Sequence, residues 1–397
     1  MLHHSGNFIL TNGGAVALRI ALTGFLALVV VMGIGRFAFT PQVPLMVGEG
    51  QLTLTSAGLV AAANYLGYLA GAWDAMRAKT RVELRLWAGI GGAVLLTLLS
   101  AFVAGPWPHA LLRFAIGCMS GWGLVLMAAW TNEQLAHFGR PGLSAAVFAG
   151  PGAGIAISGL LAVWIHGAGL SAQQGWLIYG VLALLFIALV ARNLPRRGQL
   201  HRPGSLPAPL RLTSGLKKLV WSYSLAGFGY ILPATFLSQM AAARFPGSLF
   251  AQFVWPVFGG ASVIGIALSI LLRGVLQSNQ RLAVVLWLQA AGVVAAAWLP
   301  GINGLVIGAL LVGGGFLCAV QLSLHYGREL APEHTRYLAG LLTTGYAVGQ
   351  LVGPMTSAVS TFLTGRLEPA LWIAGAALVI GGALVWRRDD QRNRQSQ

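Results

Sequence analysis

Apolar positions in this chain run together in long blocks and do not alternate residue by residue. The blocks fall at approximately 18–40, 56–75, 84–104, 109–131, 143–165, 174–192, 218–240, 250–272, 282–299, 304–326, 338–363 and 370–386. About 20 apolar residues in a helix span the roughly 30 Å hydrocarbon core of a bilayer. Lipid supplies no hydrogen-bond partners for the backbone, so a spanning chain forms helices or a closed barrel. A barrel requires strands of about ten residues with alternating polarity, and that alternation is absent. The pattern therefore predicts an all-α integral membrane protein with twelve transmembrane helices.

The polar interruptions divide the chain. The longest, RNLPRRGQLHRPGSLPAPLRLTSGLKK (192–218), is rich in arginine and proline and follows the sixth block. It separates an N-terminal six-helix bundle (1–191) and a basic linker (192–217) from a C-terminal six-helix bundle (218–386) with a short tail (387–397). The linker reads first as a connector and second as a surface for anionic lipid headgroups. Most lysines and arginines cluster at alternate block ends, among them Arg77, Lys79, Arg81 and Arg85, the linker, and the tail arginines. Positive charge stays inside, so both termini and the linker are expected in the cytoplasm. The start, MLHHSGNF, lacks the basic n-region of a cleaved signal, and none is expected.

The two halves repeat one another. GIGRFAFTPQVPLM (33–46) aligns with GFGYILPATFLSQM (227–240), matching Gly33 to Gly227, Gly35 to Gly229 and Met46 to Met240; Arg36 is matched by Tyr230. Gly150-Pro151 with Gly154 in the fifth block recurs as Gly345, Gly349 and Gly353-Pro354 in the eleventh. Helices four and ten both close on a polar run, NEQL and GREL. Such correspondences indicate a duplicated six-helix unit.

Composition agrees with this picture. The chain is 56% hydrophobic and 9% charged, against about 25% charged in soluble domains. The net charge of +16 forms no stripe with interleaved aromatics, so nucleic acid is not an expected partner. Cys118 and Cys318 lie in apolar blocks and read as free buried thiols; no metal or cofactor is expected. Ser120-Gly121 and Ser158-Gly159 lack the preceding glycine of an intramembrane serine protease, and the protein is not expected to be an enzyme.

Charge inside the blocks is the main chemical signal. Of the basic residues, only Arg36 and Arg113 fall within helices, and none of the nine acids is central in one; Asp74, near the inner end of helix two, comes nearest. An ionised side chain at membrane depth costs several kcal/mol, roughly 3 on insertion scales. It usually faces protein interior or a watered cavity. Gly33 and Gly35 flank Arg36, and Pro41 and Pro44 follow, so a helix is expected to give way to extended chain there. The alternative role for Arg36 is structural, with its guanidinium bonded to backbone carbonyls freed around Gly33 and Pro41. Arg113 could instead extend to the outer interface.

Twelve helices in two similar halves joined by a basic loop resemble the major facilitator superfamily. Arg113-Phe114 with Gly117 and Gly121 is similar to that superfamily's Arg-Phe-x-x-Gly signature. Gly150-Pro151-x-x-Gly154 resembles part of its antiporter motif, and GAWDAMRAKTR keeps Gly71 and Asp74 of the loop motif after helix two, one residue short and without the second glycine. GIGRFAFTPQVPLM together with AAANYLGYLAG (61–71) is similar to the bacterial YbfB/YjiJ-like branch. The resemblance implies a monomeric secondary transporter of the bacterial inner membrane, with a small-molecule solute and the bilayer as partners. It implies a central cavity lined by helices one, four, seven and ten, which places Arg36 and Arg113 at similar depth. With no acid to pair them, an anionic solute is the expected counter-charge; a multidrug or sugar exporter with an apolar aromatic cavity is the alternative. Further expected contacts are Asn64, Tyr65 and Tyr68 on helix two, Trp122 on helix four, Tyr230 and Gln239 on helix seven, Trp255 on helix eight and Gln321 on helix ten. Each also suits packing between helices. Gly33, Gly35, Gly150, Pro151, Gly353, Pro354 and Asp74 are the expected conformational residues, and His325 is a candidate site for a coupling proton.

Overall fold

The computed structural model describes residues 4–200, 210–272 and 274–387; the centre of the linker and the tail from 388 lie outside the described residues. All twelve apolar blocks form long helices. They are α1 (Gly13–Gly48), α2 (Leu54–Arg77), α3 (Val82–Leu99), α4 (Pro106–His137), α5 (Leu143–Gly167) and α6 (Ala172–Val190). There follow α7 (Ser214–Arg244), α8 (Val254–Leu271), α9 (Ser278–Trp298), α10 (Gly301–Leu330), α11 (Thr335–Thr364) and α12 (Glu368–Trp386). Ten are long and apolar enough to cross a membrane. The other two, α2 and α11, carry the polar side chains Asn64, Tyr65, Tyr68, Tyr346 and Gln350, and pack against one another.

Helices α1–α6 and α7–α12 form two bundles. Close glycine contacts set the spacing within each. A Cβ on Gly67 of α2 would lie 1.9 Å from the Phe114 carbonyl oxygen of α4, and one on Gly117 would lie 2.1 Å from the Asn64 carbonyl oxygen. The glycines of the Arg-Phe-x-x-Gly signature thus let two backbones touch. The repeat has the same basis: Gly33 abuts Gly154 of α5, and Gly227 abuts the Tyr346 backbone of α11.

The bundles meet through α1 with α7, α2 with α11, and α5 with α8. Thr40 Oγ1 donates to the Ala234 carbonyl at 2.7 Å. These residues are 194 positions apart, the offset of the repeat itself, so the bond joins equivalent positions as a two-fold axis requires. Tyr65 Oη and Thr235 Oγ1 lie 2.8 Å apart. These bonds join the bundles in the half away from the linker, and on the linker side Gly340 of α11 packs against Met76 of α2.

Two expectations change. The chain after Arg36 is not extended. Helix α1 passes from an α-helix ending at Leu28 through a π-helical stretch, Val29–Ile34, and a turn into the α-helix Phe39–Gly48. Pro41 sits in the first turn of that last piece, where a missing N–H leaves nothing unpaired, and only Pro44 lies inside it. The linker also begins as a docked segment. Gly198 and Leu200 N–H donate to Glu83 Oε1 at 2.8 and 3.2 Å, Trp87 Nε1 donates to the Pro195 carbonyl at 3.0 Å, and Leu194 and Leu200 are buried.

Candidate functional site

The break in α1 creates the site. Gly35 N–H reaches the Val30 carbonyl and Phe37 N–H the Met32 carbonyl, both five residues back, which is the π-helical pattern. Thr40 N–H then turns to the Phe37 carbonyl, leaving the Arg36 carbonyl without its usual helical donor. Arg113 supplies donors here. Its Nη1 donates to the Gly35 carbonyl at 2.8 Å and its Nη2 to the Arg36 carbonyl at 2.5 Å, with the side chain fully buried beside Phe39. The carbonyl-binding role considered for Arg36 thus belongs to Arg113. Asn64 Nδ2 donates to the Arg113 carbonyl at 2.8 Å, tying α2 to α4 at the same level.

With those carbonyls occupied, the Arg36 side chain extends between the bundles. It is 3% exposed, with its guanidinium carbon 4.1 Å from the Tyr68 ring centroid, 4.9 Å from Tyr65 and 5.2 Å from Phe37. Cation–π contacts of this kind contribute about 0.5–2 kcal/mol each. Nη2 donates to Gln350 Oε1 of α11 at 2.6 Å, and Gln350 Nε2 donates to Tyr230 Oη of α7 at 2.5 Å. Among the described residues neither Arg36 nor Arg113 has an ion-pair partner, and Arg36 Nε has no hydrogen-bond partner.

Arg36 lines a cavity of about 420 Å³, with Tyr68, Tyr230, Phe316, Tyr346 and Gln350 also on its wall. That volume lies in the range of roughly 300–1,000 Å³ typical of small-ligand pockets. The cavity runs past Pro151 to Met76, Asn132 and Arg328, near the helix ends on the linker side. There a second cavity of about 980 Å³ shares Asn132 and Arg328 and includes Gln321 and His325.

The structure brings only some of the expected contacts together. Arg36, Tyr68 and Tyr230 share the first cavity, and Gln321 lies on the second. Arg113 and Asn64 sit behind the wall in the backbone-bonding cluster. Trp122 Nε1 donates to Asp74 Oδ2 at 2.8 Å, beside the 2.6 Å Arg85–Asp74 ion pair. These Asp74 contacts stay within the N-terminal bundle. Trp255 is buried against Phe258, and neither it nor Gln239 lines either cavity. His325 pairs with Glu329 at 3.2 Å, one helical turn away.

The conformational glycines mark close approaches. A Cβ on Gly150 would lie 2.5 Å from the Phe25 carbonyl oxygen, one on Gly353 would lie 2.3 Å from Ile231, and one on Gly35 would meet α1's own carbonyls. Pro354 lies inside α11. Gln350, Tyr346 and Phe316 were not singled out from the sequence. For Gln350 a signal existed, since it is the lone amide of the eleventh block, as Gln321 is of the tenth. Nothing local distinguishes Tyr346 or Phe316 from packing aromatics.

Arg113→Met removes two hydrogen bonds from buried carbonyls while keeping most of the apolar stem. Each buried acceptor left unpaired costs about 1–3 kcal/mol. A marked fall in the apparent Tm of the purified protein is expected; an unchanged melting curve would show that the two carbonyls find other donors.

Comparison with known proteins agrees with this architecture. Residues 28–386 match the family described as "Uncharacterised MFS-type transporter YbfB". Among solved structures, a mutant of nucleoside transporter NupG superposes with a TM-score of 0.67, covering 93% of this chain and 98% of that one at 14% sequence identity. That identity supports a shared fold and no more. No curated protein matches the chain significantly. The chain belongs to the YbfB family of major facilitator superfamily transporters.

Proposed function

We propose that the protein is a secondary transporter carrying a small organic anion by alternating access, with Arg36 as the charge that selects it. The observation that carries this reading is a buried guanidinium on a cavity wall with no ion-pair partner among the described residues; the carboxylate on the same lining, Glu133, lies at the linker-side end of α4. A solute carboxylate matches the planar fork of arginine with two parallel hydrogen bonds and supplies the counter-charge that burial calls for. Arg36 stands on the N-terminal bundle, whereas Gln350 and Tyr230 stand on the C-terminal one. In this reading the solute replaces Gln350 Oε1 on Arg36, exchanging an internal contact between bundles for one through the solute. Rocking of the bundles, which breaks the Thr40–Ala234 contact, then opens the opposite face. With the linker side cytoplasmic by its arginines, the cavities of the state described here extend toward the cytoplasmic face.

Counterflow of labelled organic carboxylates in proteoliposomes tests the function. Transport is expected for at least one such anion and not for organic cations. Because Gln350 competes with the solute for Arg36, Gln350→Leu is expected to tighten carboxylate binding by about threefold to tenfold, the worth of one hydrogen bond. A weakened affinity would make Gln350 a ligand to the solute and rule out the exchange.

A second reading has its own support. Three rings and an amide already surround Arg36, and the rest of the upper wall is apolar and aromatic. A neutral ring-bearing solute, including one of the nucleoside kind named for the structural neighbour, would use that wall with Arg36 in a structural role. Transport of neutral solutes by the Arg36→Gln variant at parental rates would favour it.

A further inference from the structure

The wall facing Arg36 is a ladder of stacked rings. Tyr223 and Tyr346 stack with centroids 4.4 Å apart and planes at 23°, Tyr346 and Tyr230 at 5.4 Å and 16°, and Tyr230 and Phe316 at 4.8 Å and 12°. The four rings come from α7, α10 and α11, and all four line the first cavity. The two inner rings, Tyr230 and Tyr346, each stack with two neighbours, so what they leave to the cavity is chiefly their edges. An aromatic edge carries positive partial charge and its face negative, so the edge attracts another ring's face and, equally, an anion. On the facing bundle, Arg36 lies over Tyr68 at 4.1 Å and contributes a full positive charge to the same space. Near Arg36 one wall therefore supplies a full positive charge and the other supplies ring edges for π contact.

We infer that the solute class is an aromatic carboxylate, with its carboxylate on Arg36 and its ring against the ladder of Tyr223, Tyr346, Tyr230 and Phe316. This rests on the assignment of Arg36 as the anion site. The ladder adds a selection that charge alone does not make. An aliphatic acid of equal size satisfies Arg36 but offers the ring edges no π face. A neutral aromatic satisfies the edges and leaves the guanidinium without counter-charge. Offset or edge-to-face ring contacts beyond simple burial are worth about threefold to tenfold in affinity.

The test is a binding titration of the purified full chain with three probes: naphthalene-2-carboxylate, its saturated decalin carboxylate and 2-naphthamide. The aromatic acid is expected to bind about threefold to tenfold more tightly than the saturated acid, and the amide more weakly than either acid. Phe316→Leu keeps an apolar side chain at the end of the ladder and removes its ring. It is expected to lower affinity for the aromatic acid more than for the saturated acid, narrowing the ratio between the two. Equal binding of the two acids by the parent, or an equal loss of both in Phe316→Leu, overturns the aromatic class while the anion site stands. Tightest binding of the amide, unaffected by Arg36→Gln, overturns both.

Discussion

Arg36→Gln is expected to weaken binding of an organic carboxylate by about thirtyfold to several thousandfold and to abolish its counterflow. Glutamine keeps a hydrogen-bonding group near Gln350 and removes the charge. Truncating one partner of a buried, hydrogen-bonded charge pair costs about 2–5 kcal/mol, and each 1.4 kcal/mol is tenfold. The empty protein should tolerate the change, because Arg36 has no ion-pair partner among the described residues and contacts mainly rings and one amide. Arg36→Lys is expected to fall between the two, since it retains the charge and loses the planar fork. Titration calorimetry on monodisperse protein measures all three. Carboxylate affinity equal to the parent's in Arg36→Gln would remove the anion site.

The second large effect is expected at Gly67. Gly67→Val would place a Cβ 1.9 Å from the Phe114 carbonyl oxygen, and Gly117 holds the reciprocal contact with the Asn64 carbonyl. The obstacle is backbone, which no change of rotamer relieves, so α2 and α4 must separate. Separation also stretches the Asn64–Arg113 bond and shifts the guanidinium that satisfies the α1 carbonyls. Overpacking alone costs about 1–3 kcal/mol, and the broken polar cluster adds to it. A large fall in apparent Tm or failure to yield monodisperse protein is expected. Gly91, whose added Cβ would meet nothing within 4 Å, is the control. Gly91→Val should melt close to the parent, and similar melting of both variants would show that α2 and α4 yield without cost.

The helices were legible because each depends on a local property. A run of about 20 apolar residues has one way to satisfy its backbone in lipid, wherever its neighbours lie. For the same reason the block boundaries agree with the helices to within a few residues at most ends. The larger discrepancy is at α1, which continues to Gly48 past two prolines. The duplication was legible too. Gly33 and Gly227 match because each abuts the corresponding helix of its own bundle, so the same packing demand appears twice in the chain.

The two arginines show where that legibility ended. From the sequence they were equivalent: two cations at similar depth, both available to an anion. Their roles separate only when the π-helical break in α1 turns carbonyls toward α4, and Arg113 takes those carbonyls while Arg36 faces the cavity. No spacing rule reports this, because it depends on which helix lies against the break. The pairing of Gln350 with Arg36 was out of reach for a related reason, since the two are 314 positions apart. By itself the sequence determined the membrane class, the helices, the repeat and the presence of unpaired cationic charge at depth, since these follow from composition and local period. Only the tertiary structure decided which cation is held by backbone and which meets the cavity, because that division arises where segments remote in the chain come within a few ångströms.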